Sequence, residues 1–520
     1  MIFILFVACL WLLNSFNSPL WPRSHDGIYH AVRISEYYRE LASGQFPVRW
    51  VDNLDYKYGL PLFNYVYPGP YLISSIPMSL GLGEITSYKL VMVFAYFIGA
   101  LGYYFIYYKK NKFIALVSSL LFALSPYIFL DIFVRGAMGE VVAIGFMPWV
   151  IYGFTKQKHL LSILSLMMIL ISHSFLGILF LFFVLCKLIW ERKFDLKSVR
   201  NILISLGLSS FFLLPLIIEN KLITSGFTNN FTFDYRQHFL YPIQLLYGKW
   251  DYWYSNPGPI DGMSFQIGFA NILIVLSSLF SFYFFNKKRN IVFLLLSVLF
   301  VFFLTLNYSQ FVWEIFSPLQ IVQFPWRLLF IPTIIFPLIY IDLADKFQNK
   351  HLRLVYFFSI GLIVLAFVNV RNYRRPMEYI GADKYSEMFV DENQKTTTSL
   401  RTEVTPRWSF IAKNNGARVI NNKDGSEIEV KKSNLSLNFD INTDTDVVIL
   451  KNYFPGWKLI NVSTNEEVKI LPDLSGNIVA HVLRGKYVYK YFQTSTEMWA
   501  NYISIISLLC LVLLRFFKKL

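Results

Sequence analysis

The stretch SHDGIYH, residues 24–30, brings His25, Asp26 and His30 within seven positions of a chain that has only seven histidines. A carboxylate and two imidazoles so close together can move a proton or contribute to a cation's ligand set. They can also do neither, because an aspartate ahead of a glycine is a common helix N-cap. If HDGIYHAVRISEYYREL continues as a helix, Asp26, His30 and Arg33 share one stripe at spacings of four and three. A second cluster is LDIFVRGAMGEVVAIGF, where Asp131, Arg135 and Glu140 interrupt apolar sequence within ten residues. A charge at the centre of a membrane helix costs on the order of 3 kcal/mol, and less near an interface. Three together suggest an ion-paired or ligand-facing rim; the plainer reading is a solvated turn with one Asp–Arg pair. His173 in ISHSF stands at the turn of a short apolar hairpin, where a satisfied loop histidine competes with a ligand. In SPLQIVQFPWRLLF, Arg327 lies just inside an apolar run that Pro325 can open as a helix. A cation is poorly matched to the positive end of a helix macrodipole. An anion such as phosphate, held between helix end and guanidinium, resolves the mismatch; snorkelling toward lipid headgroups is the alternative.

The elements that must position these groups are membrane spans. Of 520 residues, 55% are hydrophobic and 16% charged, against roughly 25% charged in a soluble globular chain. Repeated apolar runs approach the length needed to cross ~30 Å of hydrocarbon. The net charge of +15 falls in short clusters between those runs rather than on one face, which argues against a nucleic-acid partner. Cys9, Cys186 and Cys510 all lie in apolar stretches, so neither disulfides nor a thiolate metal site organises the fold.

Basic clusters mark cytoplasmic loops. They are KKNK (109–112), KQK (156–158), ERKFDLK (191–197), NKKR (286–289), KFQNKHLR (346–353) and the terminal RFFKKL. With all six inside, apolar spans near 2–17, 87–108, 113–130, 139–155, 159–172, 174–190, 200–218, 265–285, 290–306, 325–343, 352–369 and 499–516 alternate correctly. About twelve crossings and two cytoplasmic termini follow, with the first span, which no cleavage pattern follows, kept as an anchor. The expected fold is a mainly α, polytopic membrane protein with a C-terminal extracytoplasmic β-sandwich-like domain. Residues 1–369 form the helical module, with external loops 18–86 and 219–264. Within the first loop, the proline-rich apolar segment 68–81 is too short to cross and lies in the interface. Residues 370–497 form the β domain, because SLNFDI, EIEVK and KYVYKYF alternate at period two between the turn signals NNKDGS and PDLSGN. About eight strands are expected there, and residues 498–520 supply a final span and basic tail. Asp26, the 131–140 cluster, His173 and Arg327 all fall at external helix ends. Aromatic runs such as YKYGLPLFNYVYPGPY and WDYWY share that face as headgroup-depth anchors, one or two of them suited to stack on a glycan.

The order HDG-x-YH, GQFPVRW, YGLPLFNYVYPGPY, VRGAMGE and QFPWR resembles the bacterial polytopic proteins labelled 6-pyruvoyl-tetrahydropterin-synthase-related, which look like members of the GT-C glycosyltransferase superfamily. NYFPGWKL followed by GNIVAHVLRGKYVYKYF and a last helix is similar to the tail of YfhO-type membrane proteins. The resemblance implies a GT-C-type inverting glycosyltransferase of the plasma membrane. Its partners would be a polyprenyl-phosphate-linked sugar donor, membrane lipids and an extracytoplasmic glycan, lipid or protein acceptor. It implies Asp26 as the catalytic carboxylate and Asp131 or Glu140 as a second acid. Arg327, or else Arg135, would grip the donor phosphate. His25, His30 and His173, with the second acid, would support the substrate or hold a divalent cation, Mg or Mn. Relatives often carry EYLP where this chain has EVTPRW (403–408), so no role is carried over to that stretch. A pterin synthase proper needs three histidines around zinc, and His25 and His30 have no third partner by spacing. Two other classes suit the same spans. One is a transporter or flippase of lipid-linked envelope precursors, whose charges should sit near the midplane; the other is a non-catalytic scaffold that binds envelope polymer through its β domain.

Overall fold

The computed structural model describes residues 1–224, 234–281, 289–381, 404–409, 416–433 and 435–517. Parts of the 219–264 loop, of the NKKR cluster and of the basic tail lie outside them, as does most of 382–415. Each of the twelve apolar stretches forms helix. Six helices are long and apolar enough to cross a membrane: Glu84–Tyr107, Met138–Thr155, Leu196–Ile218, Pro325–Asn349, His351–Tyr373 and Ser495–Phe516. A seventh candidate is the pair Lys112–Ala123 and Pro126–Arg135, bent by 47° where Pro126 removes a backbone donor. The remaining five, Ile2–Leu12, His159–Ser172, Ser174–Trp190, Phe269–Ser281 and Arg289–Thr305, have 11 to 17 residues. At 1.5 Å per residue the shortest spans roughly 16 Å, about half the hydrocarbon depth. By length and composition, six or seven spans among the described residues are thus long enough to cross, with five shorter apolar helices beside them.

Small residues let the central helices approach closely, since lipid-facing helices gain little from burying more apolar surface. A Cβ on Gly145 would stand 2.4 Å from the Ala95 carbonyl, so the Met138–Thr155 and Glu84–Tyr107 backbones touch there. The final helix, Ser495–Phe516, buries only Glu497, Ala500 and Leu511 and otherwise presents apolar side chains outward. It is fixed to Leu196–Ile218 through Ser504, whose hydroxyl donates to the Gly207 carbonyl at 3.0 Å and accepts from the Phe211 N–H at 2.9 Å. The segment 68–81 forms the helix Gly69–Ser79, with Tyr71 and Ser74 buried and Leu72 and Ile76 outward.

Among the described residues, the C-terminal domain is two antiparallel five-stranded sheets, ten strands where about eight were expected. SLNFDI is the strand Ser436–Ile441, and it pairs with Gly485–Tyr491 from the KYVYKYF stretch. EIEVK divides between Glu427–Ile428 in one sheet and Val430–Ser433 in the other. The core between the sheets includes Phe439, Val447, Leu459 and Tyr489, and also Trp50 from the first external loop. Trp50 is fully buried against Trp457, with ring centroids 5.2 Å apart. Lys451 and Asp52 form an ion pair at 2.6 Å, and the Asn452 amide donates to Asp55 at 2.7 Å. The loop 18–86 thus contributes to the β domain's core, a link that residue ranges 1–369 and 370–497 separate.

Candidate functional site

The bent span ends in a wide π turn, Leu130–Arg135, closed by Gly136 at φ +65°. Such turns insert into helices mainly where function holds them. Only glycine suits position 136, because a Cβ there would meet Ser24 Oγ at 2.2 Å in a left-handed backbone. Released from helical pairing, the turn's carbonyls take up the HDG segment. The His25 N–H donates to Val134 O at 3.0 Å and the Asp26 N–H to Arg135 O at 2.8 Å. Two motifs more than a hundred residues apart in sequence therefore share one backbone edge.

Behind that edge lies an ion network. Asp131, Arg135 and Glu140 are 0%, 4% and 2% exposed, which overturns the reading of a solvated turn. Arg135 donates to Asp131 Oδ1 at 2.5 Å and to Glu140 Oε1 at 2.6 Å, with its guanidinium 4.9 Å from the Trp326 ring. Glu140 is the hub. Its Oε2 accepts from the Tyr127 hydroxyl at 3.0 Å, and its Oε1 lies 3.3 Å from Arg327 Nε and 3.7 Å from His173 Nε2. Two buried acids against two arginines balance, as burial of charge demands. His173 caps the Ser174–Trp190 helix, accepting from the Leu176 N–H at 3.4 Å, and packs on Tyr67. Burial pushes its imidazole down to about 4, outweighing the pull of Glu140, so the ring is neutral near pH 7.

Arg327 differs from Arg135. Its side chain keeps 19% exposure against 5%, and its Nη1 makes only long bonds, 3.3 Å to Val322 O and 3.4 Å to Gln323 Oε1. Pro325 does open the segment, as a 3-10 turn over Pro325–Leu329 that runs into the long helix from Phe330. Asp26 takes the N-cap position of Gly27–Ala42 yet makes no side-chain cap bond. Its half-buried carboxylate has no hydrogen bond or ion pair among the described residues, although it lies within electrostatic range of His25 and Arg327.

The two histidines of the motif part company. His30 is buried, its Nδ1 2.8 Å from the Tyr71 hydroxyl, and burial lowers its pKa well below the usual value. His25 Nε2 donates to Tyr252 O at 3.1 Å and its ring stacks on Tyr254 at 4.5 Å. Burial again lowers its pKa, leaving Nδ1 as an acceptor in the neutral ring. His25 lines a cavity of about 270 Å³, walled also by Trp21, Arg23, Tyr252, Trp253 and Tyr254. Sequence reasoning did not place Tyr127 or Trp326 at the site, and it read WDYWY and the stretch holding Tyr67 as headgroup-depth anchors of which one or two could stack on a glycan.

Among the described residues, the donors that Asp131 and Glu140 bring together do not form a set for Mg or Mn. Among the described residues no three His, Cys, Asp or Glu side chains converge as a metal set. The Arg135 guanidinium fills the position between Asp131 and Glu140 that a cation would need.

No family model matches the chain, and no curated protein sequence matches it. The resemblance to 6-pyruvoyl-tetrahydropterin-synthase-related and YfhO-type proteins therefore has no counterpart among these comparisons. Among solved structures, the apo form of the Archaeoglobus fulgidus oligosaccharyltransferase is similar over 78% of this chain, at 12% identity and a TM-score of 0.43. The match spans 59% of that chain's length.

Proposed function

We propose that this chain is a membrane glycosyltransferase that moves a sugar from a polyprenyl-phosphate-linked donor to an acceptor outside the cytoplasmic membrane. One observation carries the reading: the Asp26 carboxylate, held by its own backbone on Arg135, is left without a partner among the described residues, beside a network that ties up the other acids. A carboxylate so placed can accept the proton of an incoming hydroxyl. In the reaction, the acceptor oxygen bonds to the anomeric carbon while the carbon–oxygen bond to phosphate breaks. The hydroxyl proton passes to Asp26 and the electron pair leaves on the phosphate. The sugar crosses an oxocarbenium-like state and the anomeric centre inverts. Arg327, the more accessible of the two arginines, meets the charge that develops on the phosphate. Glu140 orients Arg327, and Asp131 with Arg135 fixes Glu140.

The test is incubation of purified protein with lipid-linked sugars, followed by mass spectrometry of acceptor glycans. Asp26→Asn is expected to insert and fold normally and to lose transfer by at least about a hundredfold. Full activity of that variant removes the base assignment. Sugar uptake into proteoliposomes without a covalent product would replace the enzyme by a transporter.

A further inference from the structure

We infer that the cavity beside His25 is a subsite for a single, uncharged pyranose ring. The inference rests on the transferase reading for what the ring does next, but not for its binding. At about 270 Å³ the cavity is near the lower end of small-ligand sites, which begin at roughly 300 Å³. That is room for one ring rather than an oligosaccharide chain.

Its chemistry is that of a sugar site. A pyranose offers apolar C–H faces bounded by hydroxyls, and so needs flat aromatic faces with a few polar groups at their edge. Tyr252, Trp253 and Tyr254 supply the faces, with the buried Trp21 closing the wall, and the neutral His25 ring supplies an acceptor at Nδ1. Among the described residues, Arg23 is the only ionised group lining the cavity, and it is paired with Glu378, which leaves no net charge for an anion. A sugar ring fits this balance better than its phosphate does.

The aromatic residues are not disposed as lipid anchors. Anchors spread around a bundle at headgroup depth, whereas these enclose a concavity built from three remote segments. The strand Trp21–Pro22 pairs with Tyr379–Ile380. The Tyr252 hydroxyl donates to Arg375 O at 2.7 Å, and the Tyr373 hydroxyl to Asp251 O at 2.7 Å. A hairpin holds the next two rings, with the Trp253 N–H donating to Gly262 O at 2.7 Å and the Gly262 N–H to Tyr254 O at 3.1 Å. Trp253 and Tyr254 nevertheless remain 59% and 55% exposed. Exposed rings fixed by their backbones lose little freedom on meeting a ligand. His25 precedes Asp26 directly in sequence, although the Asp26 side chain is not itself part of the cavity wall.

The subsite can serve the donor's sugar or the acceptor's, and the experiment separates them. Methyl glycosides of glucose, galactose, mannose and N-acetylglucosamine are titrated into the full-length protein in detergent, with tryptophan emission and saturation-transfer NMR as readouts. At least one glycoside should bind saturably. Tyr254→Ala should weaken it about tenfold, with Tyr254→Phe keeping most of the affinity and neither variant shifting the unfolding midpoint. Asp26→Asn should bind as wild type does. In the transfer assay, Tyr254→Ala raises the donor KM if the ring is the donor's and the acceptor KM if it is the acceptor's. Failure of all four glycosides to bind, or equal binding by Tyr254→Ala, overturns the subsite. Saturable binding with no transfer from any lipid-linked donor overturns the enzyme and leaves the subsite standing.

Discussion

Glu140 receives two arginines, a tyrosine hydroxyl and a histidine edge in a space nearly closed to solvent. Removing one partner of a buried ionic group strands the others, at a cost of about 3–5 kcal/mol. Glu140→Ala is therefore expected to lower stability by that order, read as a fall in the unfolding midpoint in detergent. An unchanged midpoint would mean that the network is hydrated. Arg327→Ala should be milder, since Glu140 keeps Arg135 and Tyr127 as partners. Its expected effect is a raised donor KM with normal membrane insertion, and an unchanged apparent donor affinity would contradict the phosphate role. Asp131, Arg135, Glu140 and Arg327 were each legible as unusual charges in apolar sequence. Which acid was the hub was not, because that depends on a turn at His173 and a ring at Tyr127 reaching the same point from other helices.

Among the elements, the hairpin carrying Trp253 and Tyr254 has a titratable support. The Asp261 side chain accepts from the Gln244 amide and, at 2.8 Å, from the Asn256 N–H. Burial pushes its carboxyl up to about 7. A carboxyl raised on folding contributes stability that is full below the ordinary carboxylate range and is lost as pH rises through about 7. Amide exchange at Trp253 and Gly262, corrected for intrinsic rate, should accordingly speed up toward pH 7 and level off above it. Asp261→Asn should flatten the profile, and a wild-type profile already flat would remove Asp261 as the cause. Apolar runs and period-two alternation had announced most helices and the strand SLNFDI. They could not announce the π turn or this hairpin, since neither follows from a local hydrophobic period. Both exist because distant backbone and side-chain partners satisfy them.

For the whole molecule, the loop 18–86 is what joins the bundle to the β domain. Arg49 donates to Asn64 at 2.7 Å, to the Phe211 carbonyl at 3.0 Å and to Asn501 at 2.8 Å. Glu497 accepts from Asn64 at 2.5 Å and from the Tyr491 hydroxyl at 2.9 Å. One residue later in the loop, Trp50 enters the β-domain core. Trp50→Ala is expected to cost about 3–5 kcal/mol, seen as early unfolding of the β domain by proteolysis. Its survival at wild-type rates would show the loop to be a passive tenant. Deleting 370–497 should likewise expose Trp50 and remove Lys451 from Asp52 and Asn452 from Asp55, lowering the yield of folded bundle.

The sequence by itself determined that this is a mainly helical membrane chain with an alternating-strand domain near its end, because hydrophobic run length and period are properties of neighbouring residues. It also singled out Asp26, Asp131, Arg135, Glu140 and Arg327, since charge amid apolar sequence is visible locally. Only the tertiary structure decided how those charges are shared. It committed Asp131 and Glu140 to Arg135 and sent His30 to Tyr71 and His25 to an aromatic cavity. Asp26 alone of these acids was left without a partner among the described residues. The physical reason is that whether a buried charge is neutralised depends on groups brought in from distant segments, and spacing along one segment does not specify them.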